Sequence, residues 1–584
     1  MIVPSSPPNG ALQLAVLILA GLAPFAQARE EPLMEPVTLH SLGVHWILGD
    51  GEELKVEMQW RAAGAAEWRN AEGLIRVERG AHLDPEHGSP LKIGNGAALF
   101  AGSVVNLRPD TAYDLRLREM RGGAVVRVAT LSAKTRSEPV APANAKVKHV
   151  APGEGGGSGT EADPFRGLAA AEATAQPGDL FLVRAGTYRG PFNVKRSGSP
   201  DAPIVWRGAG AGATILEGSP TSEEPGDRAI LASDTRDVWF ERFTIRHAQY
   251  GLVAHEAARL VVRRCHFHDI EFGIAATRNE RHGLTGWFVS DNVMEGPSTW
   301  PRTKGIEAAR AIQLSGTGHD VCYNRIRGFA DAIDTFPSPQ CAAIDIHHND
   351  ISEMTDDGIE LDFAQRNVRC FENRLTDIYQ GISLQPVFGG PVYVFRNVLY
   401  NVIVEPFKLH NSPSGVHLIH NTTVKSGTPF EIAGTPPVRH TRSRNNLFIG
   451  TVAPYAAEFS TPMHNCDFDF DGFGGGPWKL FLKWHTDRFE TLAEVRSKAP
   501  AYHHAVLVQE PFASGARPPE EPEKVHAAPD LRLKAGSAAI NVAVPLPGFN
   551  DAFAGKGPDL GAYEIGTSLP HYGPRPESTS TESP

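Results

Sequence analysis

The stretch DDGIELDF, residues 356–363, carries four acids: Asp356, Asp357, Glu360 and Asp362. Glu360 and Asp362 alternate with Ile359, Leu361 and Phe363, so in an extended strand these two acids share one face and the apolar residues the other. Crowded carboxylates repel and raise one another's pKa, a cost that calls for a cation or a function. Two chemistries suit such a set. Paired carboxyls can act as acid and base across a glycosidic bond, and carboxylate oxygens can hold Ca²⁺. A solvated surface cluster is the inert alternative. Further along, Lys408 and His410 add groups able to take or give a proton.

A repeat positions these residues. Asn292, Asn324, Asn349, Asn373, Asn397, Asn421 and Asn446 recur with gaps of 32, 25, 24, 24, 24 and 25 residues. All but the last precede an apolar pair or a Gly-apolar step, such as Gly358-Ile359 and Gly381-Ile382. A period of about 24 fits one coil of a parallel β-helix, with two or three short strands per turn. Leucine-rich repeats would need a denser Leu pattern, and propeller blades are longer. Asn side chains stacked coil on coil can hydrogen-bond along the stack, which makes the Asn column scaffold.

Aligning the steps stacks the outward positions about 4.8 Å apart. The first column reads Val253, Ala275, Gln313, Asp334, Glu360, Ser383, Lys408 and Glu431. The second reads His255, Thr277, Ser315, Phe336, Asp362, Gln385, His410 and Ala433. Just before the steps stand Arg310, Asp331, Asp357, Gln380 and Glu405. One face over about five coils is therefore densely ionisable and roughly 20 Å long, enough for a few sugar units. The long first Asn gap places an insertion, Met294–Arg310, beside this face. Trp300, Arg302 and Lys304 are expected to form a wall there, with Trp300 stacking on a sugar.

The 584-residue chain has room for two or three domains. Its 58 Gly and 46 Pro favour many turns and an all-β chain. The net charge of -11 argues against general nucleic-acid binding. An apolar run, Ala11–Phe25, ends at Ala26-Gln27-Ala28, so residues 1–28 are expected to be an export signal and the mature protein secreted, with no membrane span. The five cysteines show no paired spacing for zinc and are expected to be single buried thiols. The segment LRPDTAYDLRLRE (107–119) resembles the L-x-P-x-T-x-Y region of fibronectin type III modules, which implies a β-sandwich over 33–138 with Tyr113 pinning a corner. PGDLFLVRAGTY (177–188) and SPDAPIVWRGAG (199–210) resemble the opening of secreted right-handed parallel β-helix proteins of the pectate-lyase-like superfamily. The implied fold is all-β: a β-helix of about ten coils over 146–565 after the sandwich, with a disordered Ser/Pro/Thr-rich tail at 566–584.

That resemblance implies a carbohydrate-active protein acting on an acidic polysaccharide, expected to work as a monomer. Three readings stay open. In the first and favoured one, a lyase, Asp334, Glu360 and Asp362 hold Ca²⁺, Lys408 is the base, His410 an acid or base, and Arg310 binds the substrate carboxylate. Gln313, Gln385, Asp357 and Trp300 complete the substrate-binding set. In the second, a glycoside hydrolase, Asp334, Glu360, Asp357 and Asp362 act without metal, although the G-H-G signature of pectin hydrolases is absent. In the third, the groove only binds sugar. DFDFDG (467–472) opens like a calcium loop but has Trp478 at the twelfth position, and is read as a last coil with outward acids.

Overall fold

The computed structural model describes residues 31–577, apart from 52, 79–90, 92, 222, 277–283, 304, 306, 336–340 and 435. The expected export signal, Lys304, Thr277 and Phe336 lie outside the described residues. Two long parallel sheets, of 16 and 18 strands, wind into a β-solenoid of about 12 turns, beginning at Lys146–Ala151. The expectation was about ten, because the first coils lack the Asn that marks the later ones. Among the described residues no helix is long and apolar enough to cross a membrane.

The Asn column is continuous. Each of Asn292 through Asn421 donates from its backbone N–H and its Nδ2 to the Oδ1 of the next, at 2.8–3.1 Å. Asn446 donates in the same way to Asp471, at 2.7 and 2.9 Å. All are fully buried. So the DFDFDG stretch does not place all its acids outward: Asp471 ends the ladder inside, and burial pushes its carboxyl up to about 7. The Gly-apolar steps have a steric cause. A Cβ at Gly358 would lie 2.5 Å from the Leu375 side chain, and one at Gly381 2.2 Å from the Pro406 carbonyl. Asn373→Ala removes the acceptor of two buried donors of Asn349, a cost of about 3 kcal/mol. We expect a correspondingly lower urea midpoint, with Asn→Ser on the exposed Asn70 as the unaffected control.

Seven antiparallel strands from Leu33–Met34 to Ala124–Lys134 form a separate module. Tyr113 Oη accepts from the Arg108 N–H at 3.0 Å, so this tyrosine does tie the turn before its own strand. The module is fixed to the solenoid rather than spaced from it. On the 16-stranded sheet Asp320, Asp345, Arg369 and Tyr393 stand in register on successive strands. Asp320 accepts from the Leu39 N–H at 2.9 Å and from Arg136 at 3.1 Å. Arg369, fully buried, pairs with Asp345 and donates to Ser103 Oγ at 3.1 Å and Thr38 Oγ1 at 3.3 Å.

The C-terminal residues strap the solenoid. Tyr400 Oη donates to the Arg517 carbonyl, Asn401 to the Pro522 carbonyl, and His526 Nδ1 lies 2.9 Å from Asp377 Oδ1. Within 566–577, Tyr572 and Gly573 are buried and Arg575 bonds Asp291 at 2.8 Å and Glu138 at 2.6 Å, while most of the other residues are exposed. The remaining 578–584 lie outside the described residues.

Candidate active site

The strand register reproduces the first outward column pair by pair. Val253 stands beside Ala275, Ala275 beside Gln313, Gln313 beside Asp334, Asp334 beside Glu360, Glu360 beside Ser383, and Ser383 beside Lys408. These side chains are not solvated, however. Asp334 is fully buried, and Asp331, Asp357, Glu360 and Asp362 are nearly so. The insertion supplies part of the cover: Arg302 lies 3.3 Å from Asp356 and 4.3 Å over the Tyr379 ring, and Glu307 accepts from Thr355 at 3.0 Å.

Six carboxyls therefore meet three cations in a confined space. Arg310 lies 3.2 Å from Asp331, 2.8 Å from Asp334 and 4.0 Å from Glu360. Lys408 Nζ donates to Asp357 Oδ2 at 2.9 Å. Burial, then Asp357, pushes the Asp331 carboxyl well up, and burial, then Asp334 and Asp362, pushes Glu360 up to about 12. Asp362 is raised to about 8 by burial and Asp357, although Gln385 N–H (2.6 Å) and Ser383 Oγ (2.8 Å) donate to it. Lys408 pulls Asp357 down and is itself held above its ordinary range. Asp357 still sits at about 6, because its burial, with repulsion from Asp356 and Asp334, outweighs that one ion pair.

The carboxylates whose oxygens converge are not the set expected to bind metal. Among the described residues, one ligand atom each of Asp331, Asp356 and Asp357 lie within 4.8 Å of one another. Asp334, Glu360 and Asp362 do not form such a group: Asp334 faces Gln313 (3.0 Å) and Arg310, Asp362 is spent on Ser383 and Gln385, and burial with the neighbouring acids favours the neutral form of Glu360. Asp356, which none of the three readings used, belongs to the trio instead. A bulge between Met354 and Asp357 breaks the strict alternation and brings both neighbours to the same side. All three donors are hard oxygens, and the buried Asp357 Oδ1 has no hydrogen-bond partner. The set fits Ca²⁺ in donor type.

The other expected residues fall around this centre. His410 Nε2 lies 2.8 Å from the buried Glu405 Oε2, a partner the sequence placed only as a step residue. Gln385 reaches the cluster through its backbone N–H. Trp300 does not join the carboxylates. Its Nε1 donates to the Lys524 carbonyl at 3.1 Å, tying the insertion to the C-terminal strap.

No protein-family model and no curated protein matches the chain. Among solved structures it is similar to the pectate lyase Pel9A, at 18% identity over 72% of this chain and 96% of that one, with a TM-score of 0.42. It is also similar to XylC in complex with xylose, at 11% identity over 72% and 98%, TM-score 0.43. A third is the A-module of the Azotobacter vinelandii mannuronan C-5 epimerase AlgE6, at 13% identity over 58% and 93%, TM-score 0.39. Likenesses this distant carry no argument about chemistry, which rests on the site itself.

Proposed function

We propose that the protein is a cation-dependent polysaccharide lyase that cleaves a uronate-containing chain by β-elimination. The observation that carries this reading is Lys408 Nζ, 2.9 Å from Asp357, one of the converging trio. β-Elimination needs neutralisation of the substrate carboxylate, a base for the C5 proton and an acid for the leaving oxygen. Asp331, Asp356 and Asp357 would hold Ca²⁺, which when bound neutralises that carboxylate and acidifies the adjacent C–H. Arg310 offers a second, fixed positive charge in the same groove. Lys408 is the candidate base: a cation held by the trio would oppose the ammonium that Asp357 otherwise stabilises and favour the neutral amine that takes the C5 proton. Glu360, whose carboxyl burial and the neighbouring acids push up, and His410, 2.8 Å from Glu405, are the candidate acids for the leaving oxygen.

The same upward push on the Glu360 carboxyl favours a second reading, a glycoside hydrolase with Glu360 as general acid. Lys408 separates the two, since hydrolysis has no use for a base paired to a cation site. On the first reading, exhaustive chelation abolishes release of products absorbing at about 232 nm from uronate polymers, and Ca²⁺ restores it. New reducing ends that persist without that absorbance after chelation would favour hydrolysis. Export, argued from residues 11–28, and a fibronectin type III-like identity for the N-terminal module are part of the same proposal.

A further inference from the structure

The coils before Arg310 continue the groove with a different chemistry. Tyr250 stands beside Phe272 and Phe272 beside Arg310, so Gln249-Tyr250 and Glu271-Phe272 occupy the coil positions that Asp356-Asp357 occupy later. Tyr250 and Phe272 are half-buried and stacked at 4.7 Å. Next to them is an open cleft of about 800 Å³, lined by Ala248, Gln249, Ile270 and Glu271 from two coils and bordered by Pro297 and Ala308 of the insertion. That volume lies within the range of ligand sites.

Its polar groups select against charge. The lining includes Asp227, Asp269, Glu271 and Glu307 and no Lys or Arg among the described residues. Asp269 faces His247 at 3.2 Å, and Glu271 accepts from Gln249 at 2.9 Å. Ser298 lines the same cleft and is only 8% exposed, and its buried hydroxyl has no hydrogen-bond partner within the protein. A buried hydroxyl without a partner is costly, and a ligand hydroxyl would satisfy it. The floor alongside, Val253 and Ala275, is apolar where the later coils carry Gln313 and Asp334.

From this we infer that the cleft is a subsite for an uncharged sugar, so that the substrate is a mixed polymer in which neutral residues accompany uronates. A uronate carboxylate placed there would meet four acids and no Lys or Arg of the described lining, whereas a neutral sugar finds carboxylate acceptors and polar groups at Gln249 and Ser298, with the Tyr250–Phe272 stack at the adjoining coil positions. The inference rests on the lyase reading only for the charged residue at Arg310. It assigns the neutral residue independently.

The test is calorimetric binding with Lys408→Met protein, which blocks turnover on the lyase reading, in Ca²⁺. The probes are rhamnogalacturonan oligosaccharides, in which uronates alternate with neutral sugars, and oligogalacturonates of equal length. The expected result is at least tenfold tighter binding of the mixed set. Tyr250→Ala/Phe272→Ala should remove that preference, and Glu271→Lys should strengthen oligogalacturonate binding. Equal or tighter binding of oligogalacturonates by the parent, or a preference untouched by all three substitutions in folded protein, overturns the inference. If mixed oligomers bind through the cleft yet active protein never yields unsaturated products, the lyase reading falls and this one stands.

Discussion

Lys408→Met lowers turnover by about a thousandfold, the order expected for loss of a positioned base. The side chain sits on Asp357 at 2.9 Å and makes no contact that the module or the Asn ladder depends on, so the fold should survive. Methionine keeps the length and apolar stem but removes both charge and basicity. Lys408→Arg should be equally inactive, because a guanidinium stays protonated at any working pH. Ca²⁺ affinity gives the decisive second readout. Removing the ammonium frees Asp357 from its competing cation, so calorimetry should find Ca²⁺ bound at least as tightly as by the parent. A variant that has lost both turnover and Ca²⁺ binding would mean that Lys408 merely organises the carboxylates. Full turnover in either variant would end its role as base.

Arg369→Met destabilises the protein by about 4 kcal/mol, the cost of stranding one partner of a buried ion pair. Asp345 has no exposure to water and would lose the guanidinium that neutralises it. Ser103 and Thr38 would lose a donor at the same time, so the seam between module and solenoid opens where it is most polar. Urea denaturation followed by circular dichroism reports this loss. The double variant Arg369→Met/Asp345→Leu should recover much of the loss, since it leaves no unpaired charge. A single variant as stable as the parent would show that the pair contributes nothing to the docking.

The sequence disclosed the solenoid through features that every coil must repeat. The Asn spacing and the Gly-apolar steps are imposed by ladder geometry and by carbonyls about 2–3 Å from any added Cβ, so they recur whatever the coil does. That is why the column from Val253 to Lys408 aligned correctly from spacing alone. The candidate site was legible in its membership and less so in its pairing. Alternation placed Glu360 and Asp362 outward, but whether Asp356 or Asp362 joins Asp331 and Asp357 depends on one bulge, which leaves no signature in residue type. Burial was hidden for a similar reason. Part of it comes from the insertion, whose Arg302 lies over Asp356, a contact between segments far apart in sequence. The seam at Arg369 and the packing of Arg575 against Glu138 and Asp291 were invisible on the same ground.

The Asn ladder has a direction. Every amide hands two protons to the next coil and receives two from the one before, and Asp471, which can only receive, closes the series. Any coil carrying Asn at this position is thus interchangeable with its neighbours, while the coil carrying Asp471 is not. A duplicated copy of residues 374–397, spliced in after Asn397, would find an acceptor ahead and donors behind, and would lengthen the groove by one rung. Copying Asp471 into the middle would place two acceptors face to face and cut the stack in two. Gene segments encoding single coils can therefore be gained or lost upstream of a fixed stop, which gives this architecture a simple way to match groove length to substrate length.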